Sequence, residues 1–214
     1  MRNHTKTQIL AALALALYLI PGSDLMAQRR RGLVDVSPRS DRHGAWINFG
    51  LGAGSENYRF DSPDTYQPSD IVKPSFWIAV GGTVNPHLRL GGEINAWVNE
   101  YTDTLTFDHV TESLVGGLLT AQVFPATNLG LFFKGGVGIS RSGTDISGGY
   151  GTGETGFATL LGAGYEVRLA RNFFLTPVVN VLYHRSNGQR GDPNGALHER
   201  VATIGVGLTF QPGR

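Results

Sequence analysis

Over residues 44–210 apolar side chains recur at every second position, in eight runs separated by segments rich in Gly, Pro, Asn and charge. In the first run Ile47, Phe49, Leu51 and Ala53 share one face, opposite Trp46, Asn48, Gly50 and Gly52. In the third, Leu88, Leu90, Ile94, Ala96 and Val98 oppose Arg89, Gly91, Glu93, Asn95 and Trp97. In the fifth, Leu129, Leu131, Phe133, Val137 and Ile139 oppose Gly130, Phe132, Lys134, Gly136 and Gly138. The last sets Ala202, Ile204, Val206, Leu208 and Phe210 against Thr203, Gly205, Gly207 and Thr209. A period of two is that of a β-strand with unlike faces. Each run is close to the 9–11 residues, roughly, that a tilted strand needs to cross a bilayer.

Alternation alone fits a soluble barrel with its apolar face inward as well as a membrane barrel with that face outward. Two features favour the membrane. The apolar faces of the eight runs hold no Asp, Glu, Lys or Arg, and Arg or Lys on a lipid face at the bilayer midplane costs about 2–4 kcal/mol. The opposite faces are dominated by Gly, Ser, Thr and Asn rather than by the Lys and Glu of a water-facing surface. Small groups of this kind suit the lumen of an eight-stranded barrel, which side chains just fill. A soluble periplasmic lipocalin-like binder is the reading these faces disfavour.

The connections alternate in length. Asn85-Pro86-His87, Pro125-Ala126-Thr127-Asn128 and Leu169-Ala170-Arg171-Asn172 are short, whereas residues 55–74, 100–112, 141–155 and 185–199 form long segments. Short turns on one side and long loops on the other are the pattern of an up-and-down barrel. The expected fold is therefore all-β: an eight-stranded antiparallel up-and-down transmembrane β-barrel over residues 44–210.

The flanks complete the organisation. Arg2 and Lys6 precede an apolar run over residues 9–20, which Pro21-Gly22 ends and Leu25-Met26-Ala27 follows. This reads as a signal peptide over residues 1–27. Residues 28–43 are polar and aperiodic and read as an N-terminal linker; residues 211–214 read as a C-terminal tail. Composition agrees. The 214 residues include 30 Gly but only 16% charged residues, against roughly 25% in an average globular domain. Zero Cys excludes disulfides, thiolate metal sites and cysteine nucleophiles. A net charge of +1 gives no footprint for nucleic acid. The six His show no ligand spacing, so no metal or cofactor is expected, and the acidic residues Asp103, Asp108 and Glu112 read as solvated loop positions.

Few charges fall on the inward faces: Arg89, Glu93, Lys134, Glu166 and Arg168. Glu93 and Lys134 lie at similar depth from their turns, so they are expected to pair across the lumen, with Arg89 and Glu166 nearer the turn. Buried charges are costly unless paired, and this lumen polar network is read as a structural plug, a gate for ions being the alternative. Trp46, Trp77 and Trp97 point inward by parity.

These residues resemble the small eight-stranded outer-membrane β-barrel proteins, the OmpA/OmpX/OmpW-like porin family. The final strand carries the most specific match: Thr203-Ile204-Gly205-Val206-Gly207-Leu208-Thr209-Phe210 meets the family's closing pattern of polar-x-Gly-x-x-hydrophobic-x-aromatic. The assembly signal is thus Thr203, Gly205, Leu208 and Phe210, with Gln211 to Arg214 beyond the aromatic residue that normally ends the chain. The resemblance implies insertion by the barrel-assembly machinery into the outer membrane of a Gram-negative-type bacterium. It implies no particular activity; a structural or surface-interaction role is the expectation, with outer-membrane lipids and lipopolysaccharide as partners and a monomer as the oligomeric state. A second, shorter stretch, His184-Arg185-Ser186-Asn187-Gly188 with Pro193-Asn194, is similar to the HxSN…PN stretch of the lipid A 3-O-deacylases, also eight-stranded outer-membrane barrels. That resemblance implies His184 as base, Ser186 as nucleophile and Glu199 as the orienting carboxylate. At the family's Glu spacing, however, stands His198, and parity turns His184 and Ser186 to the lumen.

Overall fold

The computed structural model describes residues 42–61, 67–104, 107–146, 151–186 and 195–212. The signal peptide, nearly all of the linker, and Asn187, Gly188, Pro193 and Asn194 of the short motif lie outside them. The strands are β1 (Gly44–Phe60), β2 (Gln67–Asn85), β3 (Leu88–Thr102), β4 (His109–Val123), β5 (Leu131–Ile146), β6 (Thr152–Tyr165), β7 (Val167–Ala170), β8 (Phe173–Ser186) and β9 (Leu197–Phe210). All pair antiparallel in the order β6-β5-β4-β3-β2-β1-β9-β8-β7, and a β6–β8 pairing closes the sheet on itself.

β6 and β7 are one barrel stave. The register with β8 runs unchanged from Gly164 opposite Val178 to Val167 opposite Leu175. Tyr165 and Glu166 interrupt the ladder between them, the Glu166 N–H donating to Gly130 O at 2.9 Å. The barrel therefore has eight staves, one of them written as two strands.

The short turns carry their own chemistry. In the β2–β3 turn the His87 N–H donates to Asn85 Oδ1 at 2.9 Å, the Asx-type bond that lets Asn open a turn. The long segments are corrected. Most of residues 55–74, 100–112 and 141–155 is strand, and so are residues 185–186 and 197–199 of the fourth segment; the outgoing strands continue to Phe60, Thr102, Ile146 and Ser186. Backbone pairing extends beyond the stretch where lipid dictates an apolar face, so the ladder persists after the period-two hydrophobic signal has faded. Glu112, expected in a loop, sits in β4 and accepts hydrogen bonds from Asn99 Nδ2 at 2.8 Å and Tyr101 OH at 3.2 Å.

The faces sort as the alternation requires. Leu51, Leu119, Ile139 and Leu161 are outward and 68–74% exposed, while Trp46, Trp77 and Trp97 are buried in the lumen. The inside is not only small and polar: Trp97, Leu114, Leu118, Leu160, Leu182 and Val201 form an apolar cluster there. A second cluster joins Trp77, Phe124, Phe132 and Val178.

Glycine admits this narrow closure at particular points. A Cβ on Gly138 would run into Gly117 O and lie 2.7 Å from Leu118 Cα, both backbone atoms of the neighbouring strand, whereas one on Gly135 meets nothing within 4 Å. Gly138→Ala is therefore expected to force β4 and β5 apart, at an overpacking cost of about 1–3 kcal/mol, and Gly135→Ala to be silent. Urea midpoints of the two variants folded in vesicles check this; equal midpoints would contradict it.

Candidate functional site

At the turn end the lumen is closed by charge. Glu166 accepts from Arg89 Nη1 at 2.5 Å and from Arg42 Nε at 3.4 Å, with all three side chains almost fully buried. Arg89 Nη2 donates to Gln211 Oε1 at 2.7 Å, and Gln211 Nε2 donates to His43 O. Both guanidinium groups lie over the Phe124 ring, at 3.8 Å for Arg42 and 5.0 Å for Arg89, so a π-face as well as the carboxylate attracts the cations. Arg42 also donates to the carbonyls of Pro86, Thr127 and Leu129, tying two turns to the chain just ahead of β1.

One layer further in, Lys134 Nζ donates to both carboxylate oxygens of Glu93, at 2.6 and 2.9 Å, and Asn95 Nδ2 donates to Glu93 Oε1 at 2.9 Å. Beside this pair Trp77 Nε1 donates to Asn48 Oδ1 at 2.6 Å, Asn48 Nδ2 to Thr209 Oγ1 at 2.8 Å, and Thr209 contacts Thr176 Oγ1 at 2.8 Å. The space left among Trp46, Trp77, Lys134 and Thr176 is about 10 Å³, the limit for holding a single water. The apolar cluster around Leu114 and Leu160 lies beyond it.

Sequence reasoning placed Arg89, Glu93, Lys134 and Glu166 inside and missed two members of the plug. Arg42 fell in the expected linker and Gln211 in the expected tail. Their only signal was position: one charged and one amide side chain against the first and last strands, where a turn-end lid must be built.

At the loop end the lumen turns acidic. Glu56 and Glu199 are both buried there, and Glu199 Oε1 accepts from Ser142 Oγ at 2.8 Å. No group of three His, Asp or Glu able to hold a metal ion occurs among the described residues. His184 and Glu199 are cross-strand partners, both inside. His184 Nδ1, however, is taken by Ser140 Oγ at 2.6 Å, and its Nε2 has no partner. Ser186 Oγ accepts from Leu197 N at 3.0 Å. Neither imidazole nitrogen is thus placed on the Ser186 hydroxyl, and His184 and Ser186 are fully buried, away from any lipid ester outside the wall.

His198, one residue before Glu199, points the other way. Its Nδ1 lies 2.6 Å from Tyr183 OH and its Nε2 2.8 Å from Asp61 Oδ1. Asp61 also accepts from Ala196 N at 3.1 Å. The bond to His198, with that from Ala196, holds the Asp61 carboxyl below its ordinary range. In the closing strand, Thr203 meets Ser75 Oγ at 3.2 Å inside the barrel, and outside it the Phe210 ring packs 5.0 Å from that of Phe173.

The family model described as Outer membrane protein beta-barrel domain matches residues 15–210. The chain belongs to that family. It is an outer-membrane β-barrel protein of the Gram-negative envelope, with a lumen filled by side chains. Among solved structures it is similar to Neisserial surface protein A, at 14% identity and a TM-score of 0.54 over 79% of this chain and 97% of that one. It is also similar to Ail, the attachment invasion locus protein of Yersinia pestis, solved with the heparin analogue sucrose octasulfate. That match has 12% identity and a TM-score of 0.52, over 78% of this chain and 99% of that one. No curated protein sequence matches significantly. With the membrane established, the short turns face the periplasm and the loop ends the exterior. The outward apolar belt faces lipid and rules out the arrangement of a lipocalin, whose apolar face lines its cavity.

Proposed function

We propose that this barrel is a closed, monomeric element of the outer membrane that acts through its wall and its exterior end rather than as a conduit. The observation that carries the reading is the double seal, Arg42–Glu166–Arg89–Gln211 at the periplasmic mouth and Glu93–Lys134 above it. Outer-membrane lipid, lipopolysaccharide and the barrel-assembly machinery are the partners this reading assigns. Lipid meets the apolar belt, and the machinery takes the closing strand by Thr203, Gly205, Leu208 and Phe210.

The plug is structural, so the full chain reconstituted in a planar bilayer is expected to give no stable conductance steps. Glu93→Ala/Lys134→Ala, which removes the inner seal, is expected to flicker open. A wild type with long-lived open steps would make the charges a gate.

A further inference from the structure

Charge is sorted by face at the exterior end of β1, β9 and β8. The carboxylates there, Glu56 and Glu199, are buried inside. The outward positions of the same three strands carry no Asp or Glu and hold arginine near their exterior ends: Arg59 on β1, Arg200 on β9 and Arg185 on β8. Register gathers them. Arg59 and Arg185 flank His198, while Asn57 and Tyr183 flank Arg200. Directly opposed residues share a face with Cβ atoms roughly 5 Å apart, and diagonal ones lie about 7–8 Å apart, so the three arginines share one patch of the outer wall. Just below it on the same wall the apolar belt begins with Ala53, Val181 and Ala202.

The patch is braced. Asp61, directly beyond β1, is engaged by His198 and by Ala196 N, and Tyr183 closes the chain on the other side. This stitches the three staves together. On the opposite side of the barrel the described outward exterior positions mix signs: Glu100 on β3, Arg141 and Asp145 on β5.

We propose that Arg59, Arg185 and Arg200 form a lipid-side site for a phosphoryl group of lipid A in the outer leaflet. The proposal rests on the assignment of lipopolysaccharide as a partner and adds its place of contact. Charge complementarity and height carry it: three cations sit at the upper edge of the acyl-chain belt, where the phosphates of an anionic lipid must lie. Guanidinium is the group whose forked donors fit phosphate bidentately.

The test uses the full chain, folded in detergent, with three probes: diphosphoryl lipid A, the same lipid enzymatically dephosphorylated, and inorganic phosphate as competitor. Wild type and Arg141→Gln are expected to hold diphosphoryl lipid A about tenfold or more tightly than Arg59→Gln/Arg185→Gln/Arg200→Gln. All three proteins are expected to hold the dephosphorylated lipid equally, and phosphate at the lipid's concentration is expected not to compete. Heat-modifiable gel mobility reports folding; if the triple variant does not fold, Arg200→Gln alone is expected to weaken binding about threefold. A folded variant that binds like a phosphate-discriminating wild type would remove the site and leave lipopolysaccharide as partner. Wild type that ignores the phosphates, or yields lipid to free phosphate, would overturn the site as described. Wild type that takes up no lipid A in either form would overturn the partner assignment as well.

Discussion

Lys134→Met is expected to destabilise the folded barrel by about 3–5 kcal/mol, because it leaves the Glu93 carboxylate buried without its cation. The Glu93 side chain has no exposed surface and that of Lys134 only 3%, so solvent cannot replace the lost partner. Glu93→Gln/Lys134→Met is expected to recover a large part of the loss, since the amide oxygen introduced at position 93 still accepts from Asn95 Nδ2 while the charge is gone. The two substitutions are thus expected to be strongly non-additive, as for groups in one network. Urea unfolding midpoints in lipid vesicles, at matched slopes, measure the cycle. A Lys134→Met cost under about 1 kcal/mol, or a double variant equal to the sum of the singles, would show that the pair is solvated and that the lumen is wetter than its packing implies.

What could be read from the chain follows from which constraint dominates at each level. Within the bilayer, lipid forbids charge on one face and a narrow lumen favours small or paired groups on the other, so Leu51 against Gly50 or Ile94 against Glu93 assigns a face by parity alone. Above the bilayer the first constraint lapses. Arg59, Arg185 and Arg200 are outward strand residues, yet in a hydropathy pattern they look like loop, which is why the strands run further than the alternation does. Inside, Leu114, Leu160 and Leu182 contribute an apolar layer that a rule of polar lumen and apolar wall does not foresee, because dispersion packing serves the centre of a closed barrel as well as hydrogen bonding does. Arg42 and Gln211 were illegible for another reason. Their role depends on the two chain ends meeting at one mouth, a non-local fact with no periodicity. The same holds for the short HxSN stretch, where His184 turns to Ser140 on a different strand, a contact that spacing along β8 cannot show.

The lipid-facing assignment makes a depth-dependent expectation. Leu119 is the midpoint of the outward apolar positions of β4, flanked by Gly92 on β3 and Val137 on β5, and is 74% exposed. Leu119→Arg is expected to cost about 2–4 kcal/mol in a bilayer. Val123, at the periplasmic end of the same strand and 48% exposed, lies where an arginine reaches headgroups, and Val123→Arg is expected to cost only about 0–1 kcal/mol. The contrast is specific to membrane burial. In water both positions would be surface sites, and exchanging an exposed apolar residue for arginine there would be nearly neutral or would improve solubility. Unfolding free energies of the two variants in vesicles decide the matter. Equal costs at the two depths would mean that the apolar belt does not meet a hydrocarbon core. A larger cost at Val123 would place the bilayer lower on the wall than the alternation of β4 indicates, and would carry the arginine patch of β1, β8 and β9 out of reach of the lipid phosphates.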